Sequence, residues 1–198
     1  MEMTGEQRIP ASQQDTWEAL NDPEFLKACV PGCESITRVQ DNEFHVLMTA
    51  RVGPVSAKFR GRMSLSEIKP PHSYSLNFEG QGGAAGFAKG AAQVKLIPEN
   101  DQTRLIYDVK ANVGGKLAQI GSRLVDAAAK KVADEFFQNF TRKMSAAEDE
   151  TVVSHAKPGH AAAAPDAAAL PTLSNTTLIF FAAGSLVVFV VTLLALFG

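Results

Sequence analysis

The chain has 198 residues, 45% of them hydrophobic and 20% charged, with a formal net charge of -2. This balance excludes a disordered chain, which combines low hydrophobicity with high net charge, and it offers no basic excess for holding nucleic acid. Two cysteines are too few to staple a chain of this length as a disulfide scaffold.

Residues 1–9 read as a short strand. Ser12 stands three residues before Asp15 in an arrangement resembling a capping box, which predicts a helix over 13–20. Asp22-Pro23 gives a second helix start, with Asp22 as N-cap and Pro23 in the first turn, and Pro31-Gly32 ends that helix. Six strands follow at 34–40, 43–52, 55–68, 73–82, 87–97 and 103–113. Their boundaries are Asp41-Asn42, Gly53-Pro54, Pro70-Pro71, the Gly82–Gly86 stretch and a turn from Pro98 to Gln102. Alternation puts Val55, Ala57, Phe59, Gly61, Met63 and Leu65 on one face, and Lys58, Arg60 and Arg62 on the other. Tyr74, Leu76 and Phe78 alternate in the same way, as do Leu105, Tyr107, Val109, Ala111 and Val113. One apolar face and one polar face predict an antiparallel sheet covered on one side.

The cover is read at 117–143, a stretch without proline that predicts a helix near 40 Å long. Its inward stripe is read at 117, 120, 121, 124, 128, 132, 136 and 140. Residues 1–144 thus form one α+β domain, a sheet wrapped around a C-terminal helix. Small residues recur on its inward strand positions (Ala57, Gly61, Gly80, Gly90, Ala92 and Ala111) and in the helix (Gly121, Ala127, Ala128 and Ala129). Either they let helix and sheet approach closely, or they leave room for a ligand. A pocket there would be lined by Phe25, Met63, Phe78, Phe87, Leu117, Ile120, Gly121 and Leu124, and an apolar lining implies an apolar ligand.

Composition changes over 145–177. An acidic cluster (Glu148, Asp149, Glu150) precedes two alanine runs, with Pro158, Pro165 and Pro171 and no aromatic residue, which predicts a flexible linker. Residues 178–197 then run without a charge, and only Gly184, Ser185 and Thr192 among them are not apolar. Twenty helical residues span about 30 Å, the thickness of a bilayer's hydrocarbon core, so this run predicts a transmembrane anchor. Nothing at the N-terminus reads as an export signal. The expected topology is a tail anchor in the cytoplasmic membrane, with the folded domain facing the cytoplasm.

Catalytic constellations are scarce. Cys29 and Cys33 are spaced too widely for a C-x-x-C redox pair and read as two reduced thiols. His45 and His72 fall in the strand region, His155 and His160 in the linker, and no two sit at metal-ligand spacing. Gly82-Gly83-Ala84-Ala85-Gly86 lacks the Gly-Lys-Ser/Thr run of a phosphate loop and reads as a flexible hairpin, or as a gate above a pocket. The Lys58, Arg60, Arg62 row reads as a solvated sheet face or a partner contact.

Five motifs carry a resemblance. They are Met1-Glu2-Met3-Thr4-Gly5, Cys29-Val30-Pro31-Gly32-Cys33-Glu34, Val52-Gly53-Pro54-Val55, Gly82-Gly83-Ala84-Ala85-Gly86-Phe87, and the run from Gly114-Gly115-Lys116-Leu117 to Leu124. Over residues 1–144 the chain resembles the CoxG family of carbon monoxide dehydrogenase subunits, which belongs to the START-like (SRPBCC) helix-grip superfamily. The resemblance implies a curved sheet gripping a long C-terminal helix, with a hydrophobic ligand held between them. It also implies a non-catalytic accessory of an aerobic molybdenum-containing carbon monoxide dehydrogenase, or of a related hydroxylase, recruiting that enzyme to the cytoplasmic membrane. The implied ligand is an isoprenoid quinone or another lipid, with no covalent cofactor, no metal and no nucleic-acid partner. A recruitment factor without ligand transfer, and a START-like enzyme, are the competing readings.

Overall fold

The computed structural model describes the backbone of residues 1–153 and the side chains of residues 1–146. Strand β1 (Glu2–Ile9) leads to helices α1 (Gln13–Ala19) and α2 (Pro23–Cys29). Strands β2 (Cys33–Gln40), β3 (Glu43–Val52), β4 (Val55–Lys69), β5 (Ser73–Gln81), β6 (Phe87–Glu99) and β7 (Gln102–Gly114) follow. They form one curved antiparallel sheet in the order β1-β7-β6-β5-β4-β3-β2. β1 and β2 therefore lie at opposite edges, and α1 and α2 carry the chain between them. The order of elements matches the reading from sequence, and strand boundaries shift by no more than two residues.

The helix starts work as their sequences require. Ser12 Oγ accepts a hydrogen bond from the Asp15 amide at 3.1 Å, and Asp22 Oδ1 accepts from the Glu24 and Phe25 amides. Each carboxylate or hydroxyl thus satisfies N–H groups that the first turn leaves without a helical partner. Gly53 takes φ +53 in the two-residue turn between the paired Val52 and Val55. A tight hairpin needs that left-handed backbone at its first turn position, and glycine adopts it without steric cost.

The cover departs from the reading. Instead of one helix over 117–143 there are two, α3 (Lys116–Gln119) and α4 (Ser122–Val153). The break is at Gly121, whose φ of +96 is a left-handed conformation that a side chain would strain. The break displaces the start of the inward stripe, while 132, 136 and 140 keep the inward positions read from sequence. Val125, Ala129, Val132, Ala133, Phe136, Phe137, Phe140 and Met144 are the buried positions of α4. Gly121 and Leu124, expected on that stripe, are exposed, and Ile120 and Ala128 are half-buried. α4 also continues to Val153, past the boundary set at 144 from composition.

The sheet and α4 meet through aromatic rings. Tyr107 stacks on Phe137 with centroids 5.5 Å apart, and Phe136 packs edge-on against Phe137 at 5.1 Å. Phe140 touches Phe136 and, at 5.3 Å, Phe25 of α2. Trp17 of α1 closes the same region edge-on to Tyr74 at 5.7 Å. The middle of α4 is therefore clamped to the sheet and α2 by rings, whereas its first turns present Val125 and the small Ala129. The rest of residues 145–177 and the whole of 178–197 lie outside the described residues. Among the described residues no helix is long and apolar enough to cross a membrane.

Candidate functional site

Register determines what the inner face of the sheet offers. Phe44, Met63, Phe78, Gly90 and Ala111 pair in succession across β3 to β7. The row starts with large side chains and ends with small ones. Toward the α3 end, Val46, Gly61, Gly80, Ala88 and Val113 form the parallel row. Across three adjacent strands, β4 to β6, that floor carries nothing larger than a methyl group. At that same end α3 meets β7 and the turn at Gly83–Ala85.

The eight residues expected to line a pocket do not all face it. Met63, Phe78 and Leu117 are buried in the core, and Phe25 and Ile120 are half-buried at its margin. The Lys143 ammonium lies over the Phe25 ring, 5.3 Å from its centroid. Phe87 is on the other side of the sheet and 40% exposed. Ala88, Ala92, Val94 and Leu96 hold the inward positions of β6, so alternation turns Phe87 outward with its cross-strand neighbours Gln81 and Gly114. Leu124, 53% exposed, and Gly121 are turned away by the helix break.

Rings occupy part of the space that the small residues leave. A Cβ on Gly90 would overlap the Lys110 carbonyl oxygen and lie 2.5 Å from Phe78 Cζ, so the Phe78 ring rests on the Gly90 backbone. Gly82 is covered by Phe59 in the same way, Gly5 by Tyr107, and Gly114 by Phe87. In three of the four cases ring and glycine are direct cross-strand partners. The Gly82–Gly86 connection, expected to be a flexible hairpin or gate, is a 3-10 turn over Gly83–Ala85 with Ala85 buried. Its Gly86 backbone touches Gly115, in a contact that leaves no room for a Cβ on either residue.

Two concavities open on the surface. One, of about 320 Å³, runs between β1 and α4, lined by Met1, Met3, Gly5, Tyr107, Ala129 and Asp134 among others. It reaches the sheet–helix interface from the β1 edge. Burial, aided by Asp134, pushes the Tyr107 phenol up. The other, of about 420 Å³, lies on the outer face, where His45, Arg62 and Glu79 line one register row and Leu47, Arg60 and Gln81 the next. Arg62 holds Glu43 through paired contacts of 2.8 and 2.9 Å, which keep that carboxyl below the usual range. Lys58 pairs with Glu34 at 2.8 Å. The basic row on β4 is thus partly neutralised by its neighbours. Among the described residues no three His, Cys, Asp or Glu groups come together as a metal site.

The two cysteines are free thiols. Cys29 is fully buried, and burial pushes its thiol from 9.0 up to about 12. Cys33 is pushed up to about 11 by the same cause, with Lys27 opposing. Only thiolate attacks an alkylating agent, so folded protein at pH 8 is expected to react slowly, Cys33 before the buried Cys29. In urea both should react at the rate of a free cysteine. The unfolded chain gives up these protons near pH 9, the folded chain only near 11 and 12. The contribution to stability is therefore full below pH 9 and declines as pH rises through that window. A urea series across pH 8–11 reads this directly.

The inward stripe read from sequence already held Phe136 and Phe140, and both are buried. Sequence reasoning missed Trp17 and Phe137, which complete the aromatic contacts at the helix and the sheet.

Residues 5–145 match the family of the carbon monoxide dehydrogenase subunit CoxG. The chain belongs to the CoxG family. Its fold recurs in a conserved protein from Geobacillus kaustophilus, 28% identical with a TM-score of 0.69, over 73% of this chain and 95% of that one. TTHA0849 from Thermus thermophilus is similar in fold at 16% identity and a TM-score of 0.58, covering 74% of this chain and 99% of its own. Ms6760 from Mycobacterium smegmatis, also 16% identical, has a TM-score of 0.56 over 74% and 92%. No curated protein matches. The CoxG match and these neighbours cover the sheet and most of α4, so the START-like helix-grip architecture expected from the motifs is the one the chain adopts.

Proposed function

We propose that the chain is a membrane-held accessory protein of a carbon monoxide dehydrogenase or a related molybdenum hydroxylase. It recruits the enzyme to the cytoplasmic membrane and carries a hydrophobic ligand, an isoprenoid quinone, between the sheet and the first turns of α4. The observation that carries the accessory role is the CoxG match over 5–145. The apolar run at 178–197 supports the anchor. The floor of Gly61, Gly80 and Ala88 on the inner face of β4 to β6 supports the ligand, since methyl-lined space suits an apolar molecule. A non-catalytic role is supported by the inner face itself. The ionisable groups Tyr74, Tyr107 and Cys33 on that face are all pushed up by burial and supply no base near neutral pH.

One observation favours recruitment alone. The Phe59 and Phe78 rings already cover Gly82 and Gly90, as a solid core would require. Two measurements separate the readings. Full-length protein purified in mild detergent is extracted and its small molecules identified by mass spectrometry. Recovery of quinone supports the carrier; a folded protein without hydrophobic ligand leaves only recruitment. Deletion of 178–198 should shift both this protein and the dehydrogenase from the membrane pellet to the supernatant. Retention of either in the pellet would remove the anchor from the proposal.

A further inference from the structure

We propose that the end of the domain built from residues 83–87 and 114–124 docks on an anionic lipid bilayer. Three large hydrophobic side chains are exposed among the described residues, and two of them, Phe87 and Leu124, belong to this end. Ile120 beside them is half-buried. The segments are held together by backbone contact between Gly86 and Gly115, and by the Phe87 ring lying on Gly114. Apolar groups held this way in water gain by entering an interface, and their glycine-built supports keep them from folding back into the core.

Charge selects the occupant. The stretches 82–90 and 114–124 contain Lys89, Lys116 and Arg123 and no acidic residue. All three cations are exposed, and none makes an ion pair among the described residues. Beyond these stretches the nearest acids are Asp126, one turn past Arg123 on α4, and Glu79, the cross-strand neighbour of Lys89, so Lys116 and Arg123 are the cations that set the charge of this end. Exposed apolar side chains ringed by unpaired cations fit a surface with an apolar interior and a negative skin. The same chain carries the apolar run 178–197, which would keep such a surface within reach. The proposal rests on the membrane-held reading above and adds the orientation: the end of the sheet covered by α3 and the Gly83–Ala85 turn faces the lipid.

The test uses the full chain in vesicles of phosphatidylcholine with phosphatidylglycerol, in a Cys33→Ser background. An environment-sensitive dye is attached through Leu124→Cys, and for comparison through Gln93→Cys on the outer face of β6. Doxyl-labelled lipids should quench the dye at 124 severalfold more than the dye at 93. Ser122→Cys gives the same reading should the first variant misfold. Each cation near an anionic surface strengthens binding roughly fivefold, so Lys116→Glu with Arg123→Glu should weaken docking roughly 30-fold or more. Removing phosphatidylglycerol should reduce quenching alongside. Flotation of the same samples reports the anchor separately. Vesicles that float with a dye still in water overturn the docking and leave the anchored reading intact, giving this end to a protein partner. A chain that does not float overturns both.

Discussion

Gly90→Ala is expected to lower the melting temperature of the folded domain by about 6–12 °C. The added methyl meets two neighbours of different kinds: the Phe78 ring, which can rotate, and the Lys110 carbonyl in the β6–β7 ladder, which cannot. Overpacking against a fixed backbone costs about 3 kcal/mol, and a domain of this size loses about 2–4 °C per kcal/mol. The control is Gly82→Ala, whose methyl would meet the Phe59 ring and nothing else within the three nearest atoms. Phe59→Leu should therefore recover much of the loss at Gly82, whereas Phe78→Leu should recover little at Gly90. Thermal melts by circular dichroism of the four variants decide it. Equal recovery at both sites would mean that the Lys110 carbonyl moves aside and that the ladder is softer than its register implies.

The second large effect is expected at Phe136. Its side chain is fully buried and touches both Phe137 and Phe140, so it joins the ring that stacks on the sheet to the ring that meets α2. Phe136→Ala should cost about 3–5 kcal/mol, the range for truncating a buried phenylalanine. That is a large share of the stability of one domain. Phe87→Ala removes a ring of the same size from an exposed position and should cost far less. Urea midpoints for the two variants make the comparison. Similar values would mean that α4 is held by something other than its ring cluster.

The strands were legible because each is bounded by turn residues and alternates with one apolar face. Asp41-Asn42, Gly53-Pro54 and Pro70-Pro71 sit where the chain turns, and the alternation in β4, β5 and β7 gives the correct inner face. The two short helices were legible through their caps, Ser12 and Asp22. The start of the long helix was not, because Gly121 has two meanings in a sequence. In a continuous helix it is a small inward residue; at a left-handed φ it ends one helix and starts another. The positions nearest the break, Gly121 and Leu124, moved out of the lining, while Val132, Phe136 and Phe140 further along stayed inward as read. Phe87 was misplaced against the parity of its own strand: with Gly90 and Ala92 inward, alternation already turns residue 87 outward. The pairing of rings with cross-strand glycines needs register, which no local pattern supplies.

α4 starts at the end that carries Phe87 and Leu124 and runs away from it for 32 residues, about 48 Å. The chain therefore leaves the domain at the opposite pole. If 178–197 is held in a bilayer as proposed, the docking end reaches that bilayer only when the residues between Val153 and Leu178 span the length of the helix back. Those 24 residues can stretch to at most about 80 Å, which suffices. Halving them leaves about 40 Å, which does not. On the proposed anchored reading, such a shortened chain would keep its attachment and lose its docking, with attachment and orientation set by different lengths of the same polypeptide.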